Sequence, residues 1–299
     1  MAEAAIPVDL FNPGQVFACV GLVEAVDVLL GDAEGVFDWS DAGQALFRVR
    51  AQGGMSPVAR VLEFLDKAQA RAVAPVGSAT LDAWNESWGP RPVLLDRSRG
   101  YPFPDPPSPA TLVCELNDGE QAITIDHWGD ATERDNVKFW GGSGGRPGTS
   151  LASDALTLVR GRIAAVISDP FALSAPQSSS FRFDWRRDYI AIDLGFSLND
   201  HKNDMRALGF PLVELLAAVG MSHARPRRRD RRNKLIYEYA AIGRERTHDS
   251  TWLPLPILRA GLGAVALPFP TRRFRMLLGE PGQEGQARAI TTVIEESIE

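Results

Sequence analysis

Between positions 225 and 234 the chain gathers Arg225, Arg227, Arg228, Arg229, Arg231, Arg232 and Lys234 around a single acid, Asp230. The run carries +6 in a 299-residue chain whose total is −6, so everything else carries −12. An anionic protein that concentrates guanidiniums in one exposed loop creates a local field for polyanions, and the planar arginine fork suits phosphate oxygens better than an ammonium does. The chemistry expected is salt-dependent contact with a nucleic-acid backbone. A solvated loop, or a contact to an acidic neighbour, is the plainer alternative.

Two further segments carry the same kind of promise. Gly141, Gly142, Gly144, Gly145 and Arg146 precede Pro147-Gly148-Thr149-Ser150, between a predicted strand and a predicted helix. Backbone N–H groups of such a loop, with the helix N-terminus and Arg146, can hold a phosphate; a turn that only leads into the helix is the equal alternative. It is not a nucleotide fingerprint, because no lysine precedes Thr149 and Pro147 stands where a dinucleotide motif needs glycine. In Phe181-Arg182-Phe183-Asp184-Trp185-Arg186-Arg187-Asp188-Tyr189, strand alternation would put Phe181, Phe183, Trp185, Arg187 and Tyr189 on one face. Bases can stack on such a face with Arg182, Arg186 and Arg187 beside them. Equally, the aromatics can form a core face with Arg182, Arg186, Asp184 and Asp188 paired outside.

Catalytic chemistry finds less support. His127, His201, His223 and His248 are scattered, and Asp126, Asp130, Asp200 and Asp204 beside the first two become metal ligands or acid–base partners only if the fold gathers them. No HExxH or CxxC motif occurs. Neither a metal site nor a catalytic residue is expected, and no cofactor. Cys19 and Cys114, the only two cysteines, fall in a predicted helix and a predicted strand, which supports no disulfide framework.

The elements that must position these residues follow from periodicity. Residues 6 to 11 form a short strand, and Asn12-Pro13-Gly14 supplies a cap and a first-turn proline for a helix over 13 to 30, with Cys19, Val20, Val23, Val26 and Leu30 on its apolar face. Two strands at 36–39 and 45–50 make a hairpin; Ser56-Pro57 opens a helix to about Gln69, and 72–76 forms a closing strand. The order βαββαβ is that of a ferredoxin-like unit, an antiparallel sheet with its helices on one face, over residues 1–76. Trp84, Trp88 and seven prolines from Pro90 to Pro109 mark 77–110 as a connection. A second α+β portion fills 111–299, either separate or fused with the first. It has a hairpin turning on Asn117-Asp118-Gly119, a strand at 136–140 and a helix from Thr149 to about Ser168. There follow an extended 181–196, a helix over 208–219, a strand at 235–240, and a closing hairpin of 273–278 with 287–294.

Composition sets the outer limits. With 44% hydrophobic and 23% charged residues the chain can bury a sizeable core, which excludes wholesale disorder. The N-terminus has neither a basic start nor an apolar stretch suited to export, and no membrane segment is expected. A soluble, cytoplasmic α+β protein is the expectation.

Three segments resemble a known family. Ile6 to Cys19 (IPVDLFNPGQVFAC) with Phe37-Asp38-Trp39, the segment Phe181 to Tyr189, and Phe210 to Gly220 (FPLVELLAAVG) are similar to accessory proteins encoded in type I-G (formerly I-U) CRISPR-Cas operons. The resemblance implies a protein of the RAMP group, with one or two RNA-recognition-like domains and glycine-rich loops. Its place would be in or beside a CRISPR RNA-guided surveillance complex, with CRISPR RNA and other effector subunits as partners. Sequence specificity would then come from guide–target pairing while the protein holds backbone shape. Some RAMP relatives cut precursor RNA with a histidine near the N-terminus; the first histidine here is His127. A non-catalytic RNA-binding or scaffold subunit is therefore expected, with a ribonuclease using His127 or His201, or a protein-only assembly factor, as alternatives.

Overall fold

The computed structural model describes residues 1–41, 43–96, 108–126, 147–177, 180–187, 208–231, 234–246, 251–278 and 290–296; for 187, 229–231, 234 and 235 it describes the backbone. The first portion contains β1 (Ala2–Pro7), α1 (Pro13–Leu30), β2 (Glu34–Asp38), β3 (Leu46–Ala51), α2 (Pro57–Lys67) and β4 (Gln69–Pro75). Then come β5 (Val93–Leu95), β6 (Val113–Asn117), β7 (Ala122–Ile125), α3 (Gly148–Val159), β8 (Ala175–Pro176) and β9 (Leu208–Gly209). The chain continues through α4 (Pro211–Met221), β10 (Arg227–Arg231), β11 (Lys234–Arg244), β12 (Leu253–Pro254), α5 (Leu255–Leu262), β13 (Thr271–Leu278) and β14 (Ile290–Glu296). This is an α+β fold with mixed sheets.

Local chemistry explains most boundaries. Proline at the start of α1, α2, α4 and α5 falls where its missing N–H costs no intrahelical bond. Ser56 caps α2 by accepting from the N–H of Ala59. Asn12 does not cap α1: its Nδ2 donates instead to Asp184 Oδ1 at 2.9 Å. The β6–β7 turn is held by Asn117 and Asp118, whose side chains accept the N–H groups of Gly119, Glu120 and Gln121, with Gly119 at φ 102°. The amides of Gln121 and Glu120 hold the Asp118 carboxyl below its ordinary range. The helix expected to reach Ser168 stops at Val159, because Gly161 turns left-handed at φ 72° and 3₁₀ turns follow. The extended stretch expected from 181 is irregular through Asp184 and then forms a 3₁₀ turn, Trp185–Arg187; the rest of it lies outside the described residues.

The strands form three sheets. The largest has eight strands in the order β1-β3-β2-β11-β13-β14, with β10 on β11 and β12 on β2; a second runs β5-β4-β6-β7, and β8 pairs with β9. The βαββαβ order of 2–75 is present, and β1, β3 and β2 pair antiparallel in the sequence a split βαβ unit requires. The closing strand departs from that plan: β4 pairs with β5 and β6 rather than with β1. Apart from the short β12, the elements β9, α4, β10, β11, α5 and β13 repeat the same order later in the chain. The two portions meet where β11 runs parallel to β2, Gly243 opposite Phe37 and Arg244 opposite Asp38.

One core joins them. Its buried members run from Ile6 through Phe64, Leu116, Phe183 and Leu216 to Val293. At its centre α1 crosses α4. Both helices begin beside Phe183 and Asp184, and farther along α1 Glu24 approaches His223, just past the end of α4, at 3.9 Å, so they run in the same direction. Gly21 and Gly220 make the crossing close: a Cβ on Gly21 would lie 1.8 Å from the Leu216 carbonyl oxygen, and one on Gly220 would lie 2.4 Å from that of Phe17. By length and composition α1 would pass as a membrane span, yet 83% of it is buried inside the fold, which is the setting of a core helix.

Candidate nucleic-acid interface

The middle of the arginine run, Arg227–Arg231, is a strand, not the loop expected. Tyr237 and Tyr239 of β11 are buried anchors on one side of the ladder, and β10 pairs with β11 antiparallel along its whole length. The register sets Arg227 opposite Glu238, Arg229 opposite Ile236 and Arg231 opposite Lys234, while Arg228 and Asp230 alternate onto the other face. Across β11, β13 sets Arg275 opposite Glu238 and Arg273 opposite Ala240. One face of the ladder therefore holds the positions of Arg227, Arg229, Arg231, Lys234, Arg273 and Arg275 against those of Glu238 and Glu296, the latter ion-paired to Arg275 at 3.3 Å. Arg227 and Arg228 are exposed, and Arg225, just before the strand, is half-buried. Arg232 lies outside the described residues, as does Asn233. Sequence reasoning missed Arg273 and Arg275, although Arg273-Phe274-Arg275-Met276 shows the period-two alternation that places them.

The other candidates fare differently. Phe181 and Phe183 are in the core, their rings 5.8 Å apart, so this pair offers no open aromatic face for stacking. Trp185 packs partly buried against the same core. Arg186 is committed to the protein: its guanidinium forks onto the fully buried Asp184, donates to the Phe171 carbonyl at 3.0 Å, and lies 3.4 Å over the Phe210 ring. Arg182 adopts φ 63°, which breaks any strand there, and donates its backbone N–H to the Ser180 hydroxyl. Arg187 contributes backbone to the 3₁₀ turn. The Asp184–Arg186 pairing expected at the surface is thus inside the molecule. Gly141, Gly142, Gly144, Gly145 and Arg146 lie outside the described residues, as do His127, His201 and His248.

The outer face of β1, β3 and β2, which an RNA-recognition module would use for stacking, is a mesh of charges. Arg48 pairs with Glu3 and Asp38, Arg50 with Glu34, and Arg244 with Asp38 at 2.6 Å. Burial alone would push the Asp38 carboxyl up, but its bonds from Arg244, Ser40 and Arg48 outweigh that and hold it well below the carboxylate range. Arg50 also lies 4.6 Å over the Trp252 ring. These guanidiniums are already neutralised, and this face has little left for a phosphate chain.

Among the described residues no group of histidine, cysteine and carboxylate side chains is placed to hold a metal ion. Both cysteines are buried thiols; burial pushes Cys114 up to about 12, and Cys19 well above its ordinary value. Neither is poised as a nucleophile. A sizeable groove, about 490 Å³, opens beside the β1–α1 turn, with Asp9, Phe11, Trp39, Asp41 and Asp169 in its wall. Comparison of the chain with protein-family models, with curated proteins and with solved structures finds no match.

Proposed function

We propose that this protein is a non-catalytic RNA-binding or scaffold subunit of a type I CRISPR-Cas surveillance complex in antiviral defence, gripping the sugar-phosphate backbone of CRISPR RNA beside other effector subunits and using no cofactor. The observation that carries the reading is the cationic ladder of β10, β11 and β13, where strand alternation aligns six basic positions on one face and a paired, regular backbone fixes their spacing. Arginines held on a ladder lose less freedom on meeting phosphates than those of a loop, and they favour backbone contact over base readout. The βαββαβ order of 2–75, its β1-β3-β2 pairing, and the recurrence of that order from β9 to β13 support a ferredoxin-like, RAMP-type ancestry. The resemblance of the three segments around Asn12, Asp184 and Phe210 points the same way, and these are the segments that meet at the starts of α1 and α4.

The test is fluorescence anisotropy with a CRISPR repeat RNA across a salt titration. Alanine at Arg227, Arg228, Arg229, Arg231 and Arg232 is expected to lower affinity at least tenfold at low salt and to flatten the salt dependence by about one unit of slope for each phosphate no longer held. Equal affinity and equal slope in the parent and the five-alanine protein would refute the assignment.

A further inference from the structure

We infer that the groove beside the β1–α1 turn is a binding site for an unpaired guanine base. Its volume of about 490 Å³ lies within the roughly 300–1,000 Å³ of small-ligand pockets. Two aromatic rings stand in its wall. Phe11 is 39% exposed, although its ring meets Phe274 edge-on at 5.2 Å. Trp39 is half-buried and seated against Gly243, where a Cβ would come within 2.7 Å of the indole; its backbone N–H donates to the Arg244 carbonyl. Aromatic surface that is fixed in place and still open to solvent is what a splayed-out base stacks on.

The polar wall decides which base. Asp9 Oδ1 accepts the N–H of Phe11 at 2.9 Å, and Asp41 Oδ1 accepts that of Gly43 at 2.9 Å. The second oxygen of each, and the whole carboxylate of Asp169, meets no donor among the described residues. The cations of the wall are already engaged: Arg186 with Asp184 and the Phe171 carbonyl, Arg272 with Glu295. Among the described residues the groove therefore presents three carboxylates and no uncommitted cation. A carboxylate in such a setting selects an edge with two adjacent N–H donors. Guanine has one, in N1–H beside the N2 amine; adenine, cytosine and uracil each place an acceptor next to every donor of that edge. A wall of carboxylates also repels phosphate, which suits a base pointed away from its backbone.

The inference deepens the RNA-binding reading and rests on it for the biological ligand, while free nucleosides test the groove by itself. Calorimetric titration of the full chain should show saturable binding of guanosine, at least tenfold weaker binding of adenosine, and intermediate binding of inosine, which lacks the N2 amine. Asp9→Asn, Asp41→Asn and Asp169→Asn keep side-chain size, and the first two keep the Oδ1 that holds the turn, so folding is not at stake. At least one of the three should lower guanosine affinity tenfold or more. No saturable guanosine binding, equal binding of adenosine, or indifference to all three substitutions overturns the site. If guanosine fails to bind while RNA affinity still depends on the β10 arginines, the groove assignment alone falls. If guanosine binds as expected and RNA affinity ignores those arginines, the reading of the ladder falls and the guanine site stands.

Discussion

Glu214 shows how much organisation one buried carboxylate can supply. It lies in the first turn of α4 with no exposed surface, and its two oxygens accept the N–H groups of Phe183 and Asp184 at 3.2 and 3.1 Å. Next to it Asp184, equally buried, takes Asn12 and Arg186. Two carboxylates thus sit where the N-terminal ends of α1 and α4 converge. Glu214→Gln preserves shape but sets an amide N–H₂ against a backbone N–H, leaving a buried donor unmatched. A loss of about 1–3 kcal/mol, read as a lower urea midpoint at unchanged slope, is expected. Sequence alternation around 181–186 separates aromatics from charges. It does not show that the charges are internal, because Asn12, which bonds the Asp184 carboxylate, and Glu214, which takes the backbone amides beside it, come from far along the chain and bury what spacing alone would leave exposed.

At the scale of elements, the turn and cap signals are legible because they act over a few residues: Ser56-Pro57, Asn117-Asp118-Gly119 and the prolines that open α1 and α4 fall where local chemistry puts them, whereas α5, also opened by proline, is not among the expected helices. The state of the arginine run is not legible. Its composition says exposed and charged, and it becomes a strand because β11 beside it is anchored by buried Tyr237 and Tyr239 and offers a ladder to complete. The α1–α4 crossing is likewise a matter of paired glycines that look like ordinary helix interruptions in either segment alone. Gly21→Ala gains about 1 kcal/mol of helix propensity, but its methyl meets the Leu216 carbonyl at 1.8 Å, an overpacking worth about 3 kcal/mol or more. Net destabilisation of about 2 kcal/mol is expected in urea unfolding, whereas Gly54→Ala, with open space around it, should stay within about 0.5 kcal/mol of the parent.

Across the whole molecule, the α+β class follows from element order, but the pairing of β4 with β6 and of β2 with β11 does not. Strand order is chosen by long-range packing, and alternation in one strand does not name its neighbour. The seam between the two portions is ionic as well as apolar: Asp38 of β2 holds Arg244 of β11 and Arg48 of β3 together. Because the fold keeps the Asp38 carboxyl well below its ordinary value, the folded chain accepts that proton at lower pH than the unfolded chain does. Its contribution is complete above an unfolded pKa of about 3.9 and drains away as pH falls toward the folded value. Urea midpoints should therefore drop as pH is lowered below about 4. Asp38→Asn should be less stable at neutral pH, by about 3–5 kcal/mol for removing the carboxylate that pairs with the buried Arg244 guanidinium, and should show a shallower acid slope.

The crossing of α1 with α4 also has a consequence in time. A ribosome makes the first of these helices long before the second, and at about 5–20 residues per second the interval is on the order of ten to forty seconds. Through that interval the apolar flank around Phe17 and Gly21 has no native cover, for the carbonyl of Leu216 and the backbone of Gly220 do not yet exist. Synthesis of this chain is thus a wait with a greasy helix in hand, and a cell that makes it in quantity must shelter that helix until its mate arrives.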